Sequence, residues 1–280
     1  VTWKQVLVRT KVQRAANLFR IALQNQGESF MMRSVSSLIG VTFWCLITPL
    51  TAQPAATPQT SQTAVQPKQA PFESEIAAFE SEDKQSPPPS GAVLFLGSSS
   101  IRLWTTLPKD FPELTVINRG FGGSEIADSV RYAPRIVLPY KPKTIVFYAG
   151  GNDINSGKAP ETVLKNYQAF VREVHKALPT TRIVYISMNP AVSRWKKEPQ
   201  FVVANRLIEE YVRKATKKGM PLNYLDSHSK LLSATGEARP EIYRADGLHL
   251  NSKGYELWTA ILRPQIMALA AMENGAHKAP

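Results

Sequence analysis

The 280-residue chain contains one cysteine, Cys45, and four histidines. A single thiol excludes an internal disulfide framework and a cysteine-built zinc site, and nothing in that usage conflicts with an oxidising compartment. No Gly-x-x-x-x-Gly-Lys-Ser/Thr sequence and no dinucleotide glycine fingerprint opens the first helix, so nucleotide chemistry lacks its usual phosphate cradle. Zinc-finger spacing and an RNA-binding consensus are missing as well, and no nucleic-acid partner is expected. Acidic residues are few, 22 against 34 basic ones, and the resulting charge of +12 favours anionic surfaces without naming a partner. No internal repeat of about 20 to 50 residues is present.

What is present begins with a basic N-terminal part. Met31-Met32-Arg33 followed by the apolar run 35–50 has the form of a secretory signal, with small residues near Thr51-Ala52 for cleavage and a poor fit at Leu50. The run contains Pro49 and falls short of the roughly 20 residues a membrane-spanning helix needs, which favours cleavage over anchoring. Trp44 ahead of Cys45 does not suit lipidation. Residues 1–52 are therefore read as an N-terminal extension plus a signal peptide at about 31–52, with translation expected to start at Met31 or Met32 and Val1 a misassigned start. The expected location is secreted or periplasmic, with membrane tethering and envelope association if the segment is retained. Residues 53–72, rich in Pro, Ala, Gln and Thr, bury too little surface to offset ordering entropy and read as a linker.

The chain is 43% apolar, enough for a sizeable core, which falls in one domain over 73–272 before a polar tail at 273–280. Residues 73–84 place Ile76 and Phe79 at helical spacing, a short helix against the domain's edge. Apolar runs at 92–96, 115–117, 144–148, 182–187 and 222–225 are too continuous for a half-exposed sheet and suit strands covered on both faces. Helical patterns at 161–178, 201–217 and 253–272 follow them. This alternation implies an α/β domain with a five-stranded parallel sheet, helices on both faces and reactive loops at the strands' carboxyl ends.

Four of those loops carry chemistry. The first is Gly97-Ser98-Ser99-Ser100, the second Asn118-Arg119-Gly120-Phe121-Gly122-Gly123-Ser124, the third Gly150-Gly151-Asn152-Asp153, and the fourth Asp246-Gly247-Leu248-His249. Together they hold what acyl transfer to a serine requires: an exposed hydroxyl, a histidine to take its proton, a carboxylate three residues away within the same turn, and donors for an oxyanion. The donors are the Asn152 amide, the Gly123 N–H and the N–H of the nucleophile itself.

With Phe95-Leu96 ahead of the first block, this order of motifs resembles the SGNH hydrolases, or GDSL esterases and lipases, over most of residues 91–265. The resemblance implies a flavodoxin-like three-layer α/β/α sandwich and a shallow site for esters, with no metal or organic cofactor. It assigns Ser99 as nucleophile, Asp246 and His249 as the other catalytic residues, and Ser99, Gly123 and Asn152 as the oxyanion hole. Ser98 stands where the family's usual aspartate would be, and the spacing to Phe95, Gly97 and Trp104 selects Ser99 from the three serines.

An exported esterase or acylhydrolase is the leading expectation, on short acyl or acetyl esters of small-molecule, carbohydrate or lipid alcohols. A lysophospholipase or an O-acyl transferase would use the same residues. A flavodoxin-like binding module or a non-catalytic envelope protein would leave Asn152 and the Asp246/His249 pair without a task. Asp226 and His228 form the rival acid-base pair. Asp153 is expected to bond its own loop, Arg119 and Arg194-Trp195 to sit on the rim of the cleft, and His175 on a helix face; His277 belongs to the tail, and Lys214, Lys217 and Lys218 gather at a helix C-terminus.

Overall fold

The computed structural model describes residues 70–276, with side chains described to residue 272. The signal peptide, the preceding extension and nearly all of the linker lie outside the described residues, as do the last four residues with His277. Five strands form the sheet: β1 (Val93–Gly97), β2 (Val116–Gly120), β3 (Thr144–Tyr148), β4 (Arg182–Ile186) and β5 (Leu222–Leu225). They pair in the order β2-β1-β3-β4-β5, all parallel, in the doubly wound arrangement of flavodoxin type.

Strand periodicity divides the core in two. Leu94 and Leu96 of β1, Ile145 and Phe147 of β3, and Ile183 and Tyr185 of β4 point to one face. There they meet α1 (Glu73–Gln85), α4 (Ile126–Ile136), α6 (Pro160–Ala177) and α7 (Glu198–Thr216). Val93, Phe95, Val146, Val184 and Ile186 point the other way, toward the short helices α2 (Ser99–Arg102) and α3 (Leu107–Asp110) and the terminal helix α9 (Ser252–Ala276). Trp104 stacks on Trp258 of α9 with ring centroids 4.9 Å apart, and Phe95 meets Trp104 edge-on at 5.7 Å, so an aromatic cluster seats the helix that follows β1. Both sheet faces are covered, which is why the strands read as unbroken apolar runs.

Three elements differ from expectation. Strand β2 runs on to Gly120, because Asn118 and Arg119 each find partners beneath the sheet surface: Asn118 Nδ2 donates to the Ile101 carbonyl at 2.7 Å, and Arg119 Nε to the Tyr140 hydroxyl at 2.9 Å. Helix α4 was not evident from sequence, since Pro134 lies inside it; its start is secured by a capping box between Glu125 and Asp128. Helix α9 continues to Ala276, beyond the expected end at 272 and into the segment read as tail. Helix α1 is found where expected and is bound to the domain by charge, with Arg135 of α4 held between Glu73 and Glu80 at 2.7 Å each.

Between β1 and the serines the chain turns with Gly97 at φ +150°, and a Cβ there would lie 2.0 Å from the Tyr148 carbonyl oxygen of β3. Only glycine permits this approach. Gly97→Ala is expected to lower stability by about 2–4 kcal/mol, from backbone overlap added to conformational strain. The measurement is a fall in the urea midpoint with an unchanged denaturant slope.

Candidate active site

Parallel pairing brings the carboxyl ends of β1 and β3 together at the point where the strand order reverses, and the first and third loops leave the sheet there. Ser98 ends the turn with its N–H on the Tyr148 carbonyl at 3.2 Å, and Ser99 opens α2. Ser100 directs its carbonyl to the Tyr255 hydroxyl of α9 at 2.8 Å. The hydroxyl of Ser99 lies 2.9 Å from His249 Nε2, and His249 Nδ1 lies 2.7 Å from Asp246 Oδ2. Ser98, in the place of the family's aspartate, makes no side-chain cap to the helix it precedes.

The other Asp246 oxygen accepts the backbone N–H groups of Leu248 at 2.9 Å and His249 at 3.0 Å. One tight turn thus fixes the carboxylate from behind and aims it at the imidazole. Hydrogen bonding from the His249 side chain first, then from these two N–H groups, holds the Asp246 carboxyl well below the ordinary carboxylate range. Its side chain is half-exposed, so solvent screens the pair and the effect is chiefly orientational.

Asn152, in α5 (Gly151–Asn155), donates through Nδ2 to the Ser124 carbonyl at 2.9 Å and accepts at Oδ1 from Arg194 Nη2 at 2.9 Å. Asn152, Arg194 and Ser99 line one cavity of about 30 Å³, together with Tyr148, Met188 and Leu248. Gly123 is not in that lining. It sits at φ +83° on the loop before Ser124, and a Cβ built there would meet nothing within 4 Å, so glycine is required by backbone conformation and not by crowding.

Several expectations change. Arg119 is not on the rim: it is 8% exposed, ion-paired with Asp83 of α1, and lies 4.9 Å over the Phe79 ring. Asp153 is fully buried and bonds not its own loop but the Ile126 N–H at the start of α4, 3.0 Å away; burial raises its carboxyl pKa. His228, the first residue of α8 (His228–Leu231), is not paired with Asp226. Its Nε2 meets Glu198 Oε1 at 2.5 Å, while Asp226 accepts the Ser229 N–H at 3.1 Å and caps the turn. His175, on α6, meets the Thr181 carbonyl at 2.9 Å.

Arg194 was expected at the rim and instead lines the cavity. It lies on a 3₁₀ segment, Val192–Lys197, after β4. Burial draws its guanidinium pKa down from the usual value, and the group nonetheless stays protonated, as arginine does in proteins. The one signal available in the sequence was a basic residue in a loop after a strand end, which does not say whether the side chain turns inward.

Strand order and layering define a protein of the flavodoxin-like α/β class. The sequence matches the model of the GDSL-like Lipase/Acylhydrolase family over residues 95–257, more than half of the chain, and the protein belongs to that family. It is an ester-bond hydrolase. Among solved structures, it is similar to a GDSL-like lipase from Bacteroides thetaiotaomicron (22% identity, TM-score 0.58, covering 69% of this chain and 97% of that one). It is also similar to a carbohydrate esterase family 3 protein from Talaromyces cellulolyticus (21%, 0.54, 63% and 96%). An acetyl-xylooligosaccharide esterase from Geobacillus shares the fold too (14%, 0.51, 64% and 95%). At these identities the likeness is one of fold. No curated protein matches the sequence.

The depressed Asp246 pKa has a definite sign. A carboxyl with a folded-state pKa below its unfolded value stabilises the fold above the unfolded pKa and loses that contribution as pH falls through the folded one. The Asp246 carboxyl, followed by carbon NMR, is expected to titrate below the ordinary carboxylate range, and His249→Ala to move the midpoint upward by removing the largest cause.

Proposed function

We propose that the protein hydrolyses short-chain carboxylic esters through an acyl-enzyme on Ser99. The observation that carries this reading is the continuous hydrogen-bonded line from Ser99 through His249 to Asp246, 2.9 Å and 2.7 Å. His249 Nε2 takes the Ser99 proton as Oγ attacks the ester carbonyl, and Asp246 holds the imidazole in the tautomer that presents Nε2. The tetrahedral oxyanion meets the Ser99 and Gly123 N–H groups and the Asn152 amide. The protonated His249 then returns its proton to the leaving alkoxide, and the acyl-enzyme forms. A water molecule, deprotonated by His249, attacks the acyl carbon, and the carboxylic acid leaves as Ser99 regains its proton.

Cavity size supports a small acyl group. About 30 Å³ beside Ser99 is room for one or two water-sized groups, which suits acetyl. The alcohol faces a different surface. Val192, 38% exposed, stands beside Gly247 of the His249 turn, where the Ser193 N–H donates to the Gly247 carbonyl at 3.0 Å, and Trp195, 36% exposed, follows on the same 3₁₀ segment. An apolar and aromatic rim of this kind suits the ring of a sugar or another organic alcohol, and acetylated carbohydrate is the substrate class we favour. Residues 31–52 are read as an export signal, placing the enzyme outside the cytoplasm, in the envelope or beyond.

A fluorophosphonate adduct mapped by mass spectrometry is expected on Ser99. Ser99→Ala is expected to abolish turnover of p-nitrophenyl acetate; full activity in that variant, or an adduct on Ser98 or Ser100, would overturn the assignment. Asp246→Asn retains an oxygen for the two backbone N–H groups but disturbs the His249 tautomer, and kcat is expected to fall by about 10³–10⁴. Across p-nitrophenyl esters, kcat/KM is expected to drop steeply between acetate and hexanoate; a flat or rising series would remove the short-acyl reading.

A further inference from the structure

We propose that Arg194 is a positioning residue of the oxyanion site, fixing which end of the Asn152 amide faces the reacting carbonyl and adding a positive charge behind it. The inference rests on the Ser99 reading above.

A primary amide has two ends of similar shape and opposite use. Turned one way, Asn152 offers an N–H to a developing oxyanion; turned the other, it offers an oxygen that repels it. Two contacts select the first. The guanidinium of Arg194 only donates, so the atom it meets at 2.9 Å is Oδ1; the Ser124 carbonyl only accepts, so the atom it meets at 2.9 Å is Nδ2. One Nδ2 hydrogen serves Ser124 and the second remains for substrate. A cation on Oδ1 also polarises the amide and strengthens the remaining N–H as a donor.

Among the described residues the charge of Arg194 has no carboxylate to answer it within ion-pairing distance, although the side chain is partly withdrawn from water. A cation held this way is better satisfied once an oxyanion forms nearby than before, and this difference between ground and transition state is what accelerates a reaction. What favours this role over recognition of an acidic substrate is that the guanidinium is already bonded to the Oδ1 end of the Asn152 amide, opposite the Nδ2 end offered to substrate.

Arg194 is also held on a fixed support. On the same 3₁₀ segment, Lys197 Nζ donates to the carbonyls of Ile154 and Asn155 at 3.2 and 2.5 Å, and the Ser193 N–H donates to Gly247. The segment is thereby pinned at one end to the helix carrying Asn152 and at the other to the turn carrying Asp246 and His249.

Steady-state kinetics on p-nitrophenyl acetate test this in the full chain, with thermal melts confirming that each variant is folded. Arg194→Met is expected to lower kcat by about 10- to 100-fold, within the range of a lost oxyanion donor, with KM changed less than about 3-fold. Arg194→Lys keeps the charge and a donor and is expected to recover at least a third of that loss on a logarithmic scale. In an Asn152→Ala background, the Arg194→Met change is expected to cost at least about 3-fold less than it does in the unaltered protein, because the part of its effect carried by the amide is gone and only the charge remains. Retention of kcat within 2-fold in Arg194→Met, a loss confined to KM, equal losses in the Lys and Met variants, or a full loss in the Asn152→Ala background would each overturn the proposal. Should Arg194→Met not fold, the Lys variant and the same comparison made with Arg194→Gln decide it. A Ser99→Ala variant that stayed active would instead overturn the site as a whole.

Discussion

The site depends on one backbone contact, the approach of β1 to β3 at Gly97. Parallel pairing of β1 with both β2 and β3 aligns Gly97 with Gly120 on one side and Tyr148 on the other, so the loops after these strands leave from neighbouring points. Absence of a side chain at Gly97 lets the serine loop cross the end of β3 at backbone distance, and the Ser98 N–H closes onto the Tyr148 carbonyl. A wider turn would move Ser99 away from Asn152 and from the imidazole, whatever the quality of those residues.

Around that contact, the Asn152 amide and the Asp246–His249 turn are each tied to an element different from the one that carries them. His249 and Asp246 share a turn, yet that turn is tied to the segment after β4; Asn152 follows β3, yet its amide is set by a loop after β2 and by Arg194 after β4. Orientation is therefore a property of four loops at once, which is how preorganised donors are kept in place without the cost of rearrangement during reaction.

Much of the architecture was legible because both sheet faces are buried. Continuous apolar runs such as Thr144–Tyr148 have few other homes, and Pro160 at the first position of α6 marks that helix plainly. The motif residues Ser99, Asn152, Asp246 and His249 could be named because four loops offered them together in the order that the resemblance implies; singly, Ser, Asn and Asp are ordinary turn residues. Long-range polar pairing was not legible. Nothing near Arg119 in sequence indicates that its charge is met by Asp83, 36 residues earlier, nor that His228 turns to Glu198 and away from Asp226. Helix α4 was hidden by Pro134, a residue that removes one helical hydrogen bond and ordinarily ends helices, and which here sits within the last turn. The inward turn of Arg194 is likewise a fact of three dimensions.

Helix α1 bears on where this domain begins. The family match starts at residue 95, at the second residue beyond the start of β1, yet the folded unit reaches back past Glu73. Arg119 lies within the sheet, 8% exposed, and its carboxylate is Asp83 of α1; Tyr140 shares that carboxylate, and Ile76 is fully buried in the same core. A chain cut at the family boundary would lose both the carboxylate that meets Arg119 and the Phe79 ring that covers it, and would uncover the apolar face of α4. The short helix that the sequence places at the domain's edge is thus a structural layer of the enzyme, and it supplies from outside the motif region the charge that meets Arg119 of β2.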